Sequence, residues 1–253
     1  MTRATLKPVR ALAQAVRTLR RRPGLSFGFS ALSCGTHLLG WALVAAGEGS
    51  DSAVLTLLLR GVGALIYVGS LIWLIEGLTR IGLSLGRGRT LRWRHLCRWH
   101  GRRSRNVGLG VLNTAVALGA TAFAAFMGWS LMLFLLPAVS MVPAGLGLVG
   151  MAGVALSQLF NPCLVLDQKL SPTQAFTHGG ALLRQHWGGI SGLAVVLLVT
   201  LATPFGLGLL TEALLPGFSA AATLVAMVAA LPVLATTVTA AYLQLHTLRP
   251  GAR

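Results

Sequence analysis

The amino-acid sequence predicts an all-α polytopic membrane protein, with six transmembrane helices and amphipathic interfacial helices on the cytoplasmic side. Three observations carry this reading: six apolar runs are each long enough to cross a bilayer, the charged residues fall between them, and nearly all Lys and Arg fall on alternate connections. Charged residues make up only 10% of the chain and hydrophobic ones 55%, against about 25% charged in a soluble domain, so lipid is the main solvent. A net charge of +16 would by itself point to nucleic acid, but its confinement to short stretches between apolar runs points to membrane topology.

The chain opens with a basic amphipathic segment, residues 1–24. Within it, Val9, Leu12, Ala13, Val16 and Leu19 share one helical stripe, Arg10, Arg17 and Arg20 lie around the other side, and Pro23-Gly24 ends the element. A helix of this kind lies in the headgroup plane, drawn to anionic lipid headgroups by about 1 kcal/mol per basic residue. The apolar run that follows, about 25–47, is longer than the roughly 7–15 residues of a signal-peptide core, so it is expected to stay as the first span.

A helix crossing the ~30 Å hydrocarbon core needs about 20 apolar residues. The remaining spans are read at about 61–80, with amphipathic extensions on both sides, then 107–136, 145–166, 188–210 and 219–245. A short apolar turn around Pro137 and Pro143 separates the third from the fourth. Residues 25–248 then form a single six-helix membrane domain, and 249–253 a short basic tail.

Loops rich in Lys and Arg stay in the cytoplasm. Residues 1–24 and 80–106, the connection holding Lys169 and Arg184, and the tail with Arg249 and Arg253 together hold every basic residue except Arg60. The opposite connections hold Glu48, Asp51 and Glu212. Both termini are therefore placed inside, which suits an even number of spans. Cys34, Cys97 and Cys163 form no CxxC and are read as reduced thiols.

In the loop 86–106, Leu91, Trp93, Leu96 and Trp99 interleave with Arg92, Arg94, Arg98, Arg102 and Arg103. Such a pattern can stack bases and pair phosphates, yet Trp beside Arg next to a span is more often an interfacial belt, and that reading is preferred here. His95, Cys97 and His100 are three potential zinc ligands without the paired spacing of a structural site. Further on, Ser171-Pro172-Thr173-Gln174 has the form of a capping box with proline at the first helical position. The helix it starts is expected to lie along the inner surface with Phe176, Gly180, Leu183 and Trp187 on one face. Gly179-Gly180 within it suggests close packing or a bend.

Three stretches resemble the YciC-like bacterial inner-membrane proteins, a family of unknown activity related to the membrane domain of some glycerophosphodiester phosphodiesterases. They are GLTRIGLSLGRGRTLRWRHLCRWHGR (77–102), NPCLVLDQKLSPTQAFTHGGALLRQHWGG (161–189) and the proline-containing last span ending AAYLQL (240–245). Asp167, Ala175, Leu183 and Trp187 occupy the positions that the family pattern implies, whereas Gly179-Gly180 departs from it. The catalytic domain of the phosphodiesterases is missing, so the resemblance implies a membrane fold and the bacterial inner membrane, not a reaction.

Motifs with catalytic associations lack their context. Gly82-Leu83-Ser84-Leu85-Gly86 matches the nucleophile elbow but follows a membrane helix, not a strand. Residues 145–150 match GxGxxG with no strand before them, and are read as small residues for helix packing, as are Ala222, Ala226 and Ala230. Ionisable residues in spans deserve individual readings. Glu76 stands four residues before Arg80, the favourable order for a helical ion pair, and Arg60 snorkels outward toward Glu48 and Asp51. His37 and Asn113 are expected to bond to a neighbouring helix. Pro204 and Pro232 interrupt the last two spans, and kinked helices of that kind can line a cavity.

The functional expectation is an integral membrane protein without an evident catalytic site or cofactor, acting as a scaffold or accessory factor in envelope or lipid processes. Its partners would be the bilayer, anionic headgroups and a membrane protein. The alternative is a small transporter or channel using the proline-kinked helices. The residues singled out are Glu76, Arg80, Arg60, Trp93, Trp99, Asp167, Trp187 and Pro232.

Overall fold

The computed structural model describes residues 6–49, 52–96 and 101–247. The elements are α1 (Pro8–Arg20), α2 (Pro23–Glu48), α3 (Ala53–Gly86), α4 (Trp93–Leu96), α5 (Arg102–Leu135), a 3-10 turn (Pro137–Val139), α6 (Met141–Gln158), α7 (Asn161–Gln168), α8 (Pro172–Gln185), α9 (Trp187–Leu214) and α10 (Ser219–Thr247). No strand occurs among the described residues. Six helical stretches are long and apolar enough to span a membrane: α2, α3, α5, the run Pro137–Gln168, α9 and most of α10. This agrees with the spans expected from hydropathy. In hydrocarbon there is no water to satisfy backbone groups, so each span must be helical throughout.

Local chemistry sets most boundaries. Pro8, Pro23 and Pro172 each stand in the first turn of their helix, where the missing N–H would have had no partner. The Ser52 hydroxyl caps α3 by accepting from the Leu55 N–H at 3.5 Å. At α8 the capping box forms as expected: Ser171 Oγ accepts from the Gln174 N–H at 3.3 Å, and Gln174 Oε1 accepts from the Ser171 N–H at 3.1 Å.

The helices group into two compact units, Met1–His100 with Gly192–Arg253, and Gly101–Ser191. In the first unit α2 and α3 form an antiparallel hairpin in which glycines let the backbones meet. A Cβ added at Gly63 would lie 2.7 Å from the Gly40 carbonyl oxygen and 2.8 Å from the Val44 nitrogen. One at Gly40 would lie 2.6 Å from the Tyr67 nitrogen. Lipid tails are as apolar as leucine, so apposition of this kind, and not burial of large side chains, holds helices together within the bilayer.

The core of this unit collects at one end of the hairpin, around Leu25, Phe29, Leu78, Ile81, Leu85 and Leu96. There Gly77 makes room for the Phe29 ring and Gly82 for the Thr239 side chain of α10. Elsewhere on the spans large apolar side chains such as Leu57, Leu65 and Leu209 stay exposed, as lipid-facing residues should.

In the second unit α5 packs on α6 through Gly147 against Ala125 and Gly150 against Thr121, which supports the packing reading of the 145–150 glycines; Gly145 itself meets nothing. Its buried side chains include Val107, Phe160, Cys163, Leu164, Val165, Ala175 and Leu183.

Several expectations are corrected. Pro23-Gly24 begin α2; the turn that ends α1 is Arg21-Arg22. Of the expected α1 stripe only Leu19 is buried. The covered face is Ala11, Ala15, Thr18 and Leu19, while Val9 is 72% exposed. Alanines win that face because α1 lies close against α10 and α3, where valine would hold it away. In α8 the covered residues are Ala175, Gly179 and Leu183, with Phe176 and Gly180 half-buried, because Gly179 abuts the Ser157 carbonyl. Trp187 belongs to α9 and is exposed. The fourth span is broken at Leu159-Phe160 into α6 and α7, since Pro162 cannot donate to the Gln158 carbonyl four residues back.

These contacts lead to an asymmetric expectation. Gly63→Val should lower the unfolding free energy by about 1–3 kcal/mol, the usual scale of overpacking. Gly61→Ala, at a position with nothing within 4 Å, should not lower it. Titration of the detergent-solubilised protein with a denaturing detergent, followed by circular dichroism, distinguishes the two. Equal losses would show that the hairpin is not held by glycine apposition.

Candidate functional site

The singled-out residues do not converge on one centre. Glu76 and Arg80 form an i,i+4 ion pair on α3, and it is largely buried, with side-chain exposures of 5% and 16%. Three neighbouring elements enclose this turn of α3. Phe29 of α2 fills the space at Gly77, Thr239 of α10 fills that at Gly82, and the 87–96 segment folds back over the hairpin. The Trp73 indole N–H donates to the Leu96 carbonyl at 3.0 Å, which pins α4 in place. Trp93 lies across Gly28, and its ring centroid is 6.5 Å from that of Phe29, which in turn meets Trp73 edge-on at 4.9 Å. Trp93 thus closes the packed end of the unit while remaining partly exposed. Trp99, like Asp51, Cys97 and His100, lies outside the described residues.

Arg60 and Glu48 approach to 3.9 Å across the other end of the α2–α3 hairpin, with both side chains at least half exposed. Pro232 is buried within α10, and Pro204 within α9. His37 is bonded across to α3, as a lone histidine in a span should be. Its Nδ1 is 3.2 Å from the Tyr67 carbonyl oxygen and 3.1 Å from Ser70 Oγ, and its ring lies on Tyr67 at 3.7 Å. A carbonyl only accepts, so the Tyr67 contact places the proton on Nδ1. Asn113 is exposed on α5.

The second unit holds a polar knot that hydropathy could not single out. Gln158 and Asn161 flank the α6–α7 break and are 5% and 4% exposed. Asn161 Nδ2 donates to Gln158 Oε1 at 2.9 Å, and Gln158 Nε2 donates to the Phe176 carbonyl at 3.2 Å and to Ser157 Oγ at 3.0 Å. Gly110 of α5 makes room for the Asn161 amide. The break therefore exchanges lost helical bonds for side-chain bonds that tie α7 and α8 together. The only sequence signal was Asn-Pro inside an apolar run. Asp167 follows half-buried in α7. Lys169 ends that helix at φ 58°, in the left-handed region.

Also unsignalled is a line of small hydroxyls on α2. Ser26, Ser30 and Ser33 are fully buried at helical spacing, and Thr236, Thr237 and Thr239 of α10 are nearly so. Together these residues make the packed end of the first unit a polar seam of small side chains with one charged pair, suited to holding helices in register. Among the described residues no group of three or more His, Cys, Asp or Glu could hold a metal ion.

Comparison with protein families, with characterised proteins and with solved structures returned no match.

The burial of the Glu76–Arg80 pair has a measurable consequence. Glu76→Gln should destabilise the protein by about 3–5 kcal/mol, because Arg80 is left buried without its counter-charge. Glu76→Gln with Arg80→Gln should recover more than half of that loss. A double-mutant cycle by denaturant titration gives the coupling, and additive losses would mean that the two charges act independently.

Proposed function

We propose that this chain is a multi-pass protein of the bacterial inner membrane, with both termini cytoplasmic, acting as a scaffold or accessory factor in envelope or lipid processes. The proposal is in keeping with its resemblance to the YciC-like proteins. The observation that carries it is the docking of α1. Its alanine face is packed against α10 and α3, so that Arg10, Arg17, Arg20 and Arg21 are presented on a fixed surface and not on a loose tail. With α4, its Arg94 and the preceding Arg92 folded over the same hairpin, the first unit offers a basic face to anionic lipid and to a membrane protein partner. The excess of basic residues on alternate connections supports the orientation.

Two measurements test this. A maleimide that cannot cross the membrane should leave Cys97 unmodified in intact cells and label it in inverted vesicles; labelling from outside would reverse the orientation. A photo-crosslinker placed at the exposed Arg92 should capture one reproducible protein partner in cells, and capture of lipid alone would count against the scaffold role.

A transporter or channel is the second reading. It is favoured by Pro232 lying inside α10, the helix that packs on α3 beside the buried Glu76. In liposomes, solute flux reduced by Pro232→Ala, or by Glu76→Gln combined with Arg80→Gln, in protein that still elutes as a monodisperse peak would support it, and flux insensitive to both would remove it.

A further inference from the structure

A cleft of about 530 Å³ opens between α1 and the ends of α3 and α10, and its chemistry is one-sided. From α1 come Arg10, Gln14 and Arg17, and from its C-cap Arg21. Their spacing of four, three and four residues puts them on one helical face, beside the alanine face that docks α1 and apart from its outward apolar face. Thr18, nearly buried, and Gln244 of α10 add neutral polar groups, while Leu85 and Gly86 of α3 form the wall. Among the described residues no carboxylate lines the cleft. Among the described residues none of the three guanidiniums is in an ion pair, unlike those of Arg60 and Arg80. The cleft is also held open by the fold. The Lys7 N–H donates to Gln244 Oε1 at 3.4 Å, tying α1 to α10, and Arg17 Nε donates to the Ala13 carbonyl at 3.4 Å.

We infer that this cleft is a binding site for a phosphate group, most specifically a phosphomonoester. Three like charges crowded on one helical face repel one another, and Arg17 and Arg21 stand at the i,i+4 spacing where the repulsion is felt. A bound anion reverses that cost. Phosphomonoester carries nearly two negative charges and three acceptor oxygens, which matches three guanidinium forks; a carboxylate brings one charge and two oxygens. The carbonyl end of α3 would oppose an anion, but the N–H groups of Arg87, Gly88 and Arg89 already bond the carbonyls of Leu83, Leu85 and Ser84. The volume is in the range of ligand pockets and exceeds that of phosphate alone, so part of the molecule carrying the phosphate fits as well. Such a site goes beyond the scaffold reading and stands without it: the cleft is the same whether or not a protein partner docks on this face.

The phosphate can belong to a lipid headgroup or to a soluble compound, and two arms separate them. The full-length protein in phosphatidylcholine nanodiscs is titrated calorimetrically with inorganic phosphate and with pyrophosphate. In parallel, nanodiscs containing phosphatidic acid or phosphatidylglycerol are analysed by native mass spectrometry for retained lipid. Saturable one-to-one binding is expected in at least one arm, with phosphatidic acid preferred over phosphatidylglycerol if the source is lipid. Arg17→Gln should weaken it about tenfold, Arg17→Lys less, and Gln14→Phe, which fills the cleft without changing charge, by a similar order to Arg17→Gln. Arg103→Gln, at an exposed arginine of α5, should change it less than twofold. These positions are exposed or half-exposed, and a monodisperse elution profile confirms that each variant is folded. Absence of saturable binding in both arms overturns the site. So does binding that Arg103→Gln weakens as much as Arg17→Gln, or that Gln14→Phe leaves unchanged, because either outcome means a diffuse basic face.

Discussion

The absence of water from the hydrocarbon region governs this molecule. It requires every span to satisfy its own backbone bonds, which makes the chain helical, and it removes the hydrophobic effect as a force between spans. What then brings helices together is close contact of small residues. Gly40 and Gly63 let α2 and α3 touch through their backbones, Gly82 accepts Thr239, and Gly147 accepts Ala125. The large side chains of the same helices, Leu57, Leu65 and Leu209 among them, are left to face lipid. Burial of large groups is found at one end of the α2–α3 hairpin, where other segments fold over the spans, as with Phe29, Leu96 and Ile81 in the first unit.

The same constraint explains which features were legible in the sequence. Six spans could be read because length and hydropathy are what a bilayer demands, and the α8 capping box because its two hydrogen bonds are local. Faces were harder. The α1 stripe was assigned by hydrophobicity, yet a docked helix selects for size, so Ala11 and Ala15 are inside and Val9 outside. For the same reason Gly179 and not Phe176 leads the covered face of α8. The Gln158–Asn161 knot stayed hidden because it answers a break that appears only when the chain is folded, with Asn161 and Pro162 as its sole trace. Among the singled-out residues, the Glu76–Arg80 pair was readable from spacing alone, but its burial depends on the 87–96 segment and on Phe29 and Thr239, which are remote in sequence.

Charge is distributed with equal economy. The described carboxylates include Glu76, held by Arg80, and Glu48, near Arg60. Among the described residues Arg10, Arg17 and Arg21 have no such partner, and they line a cleft between α1 and the ends of α3 and α10. A basic segment that only steered topology would need no concave site and no rigid seat. Docking gives α1 both.

Docking of α1 is therefore the point on which the rest turns, and hydrogen–deuterium exchange of residues 8–20 measures it directly. In nanodiscs of phosphatidylcholine alone no anionic lipid can hold the helix to the surface. If Ala11 and Ala15 pack it against α10 and α3, its amides should remain protected to a degree comparable with the adjoining end of α10. Exchange at the rate of an unstructured peptide, with protection restored only by anionic lipid, would contradict docking and return α1 to the status of a surface-bound tail.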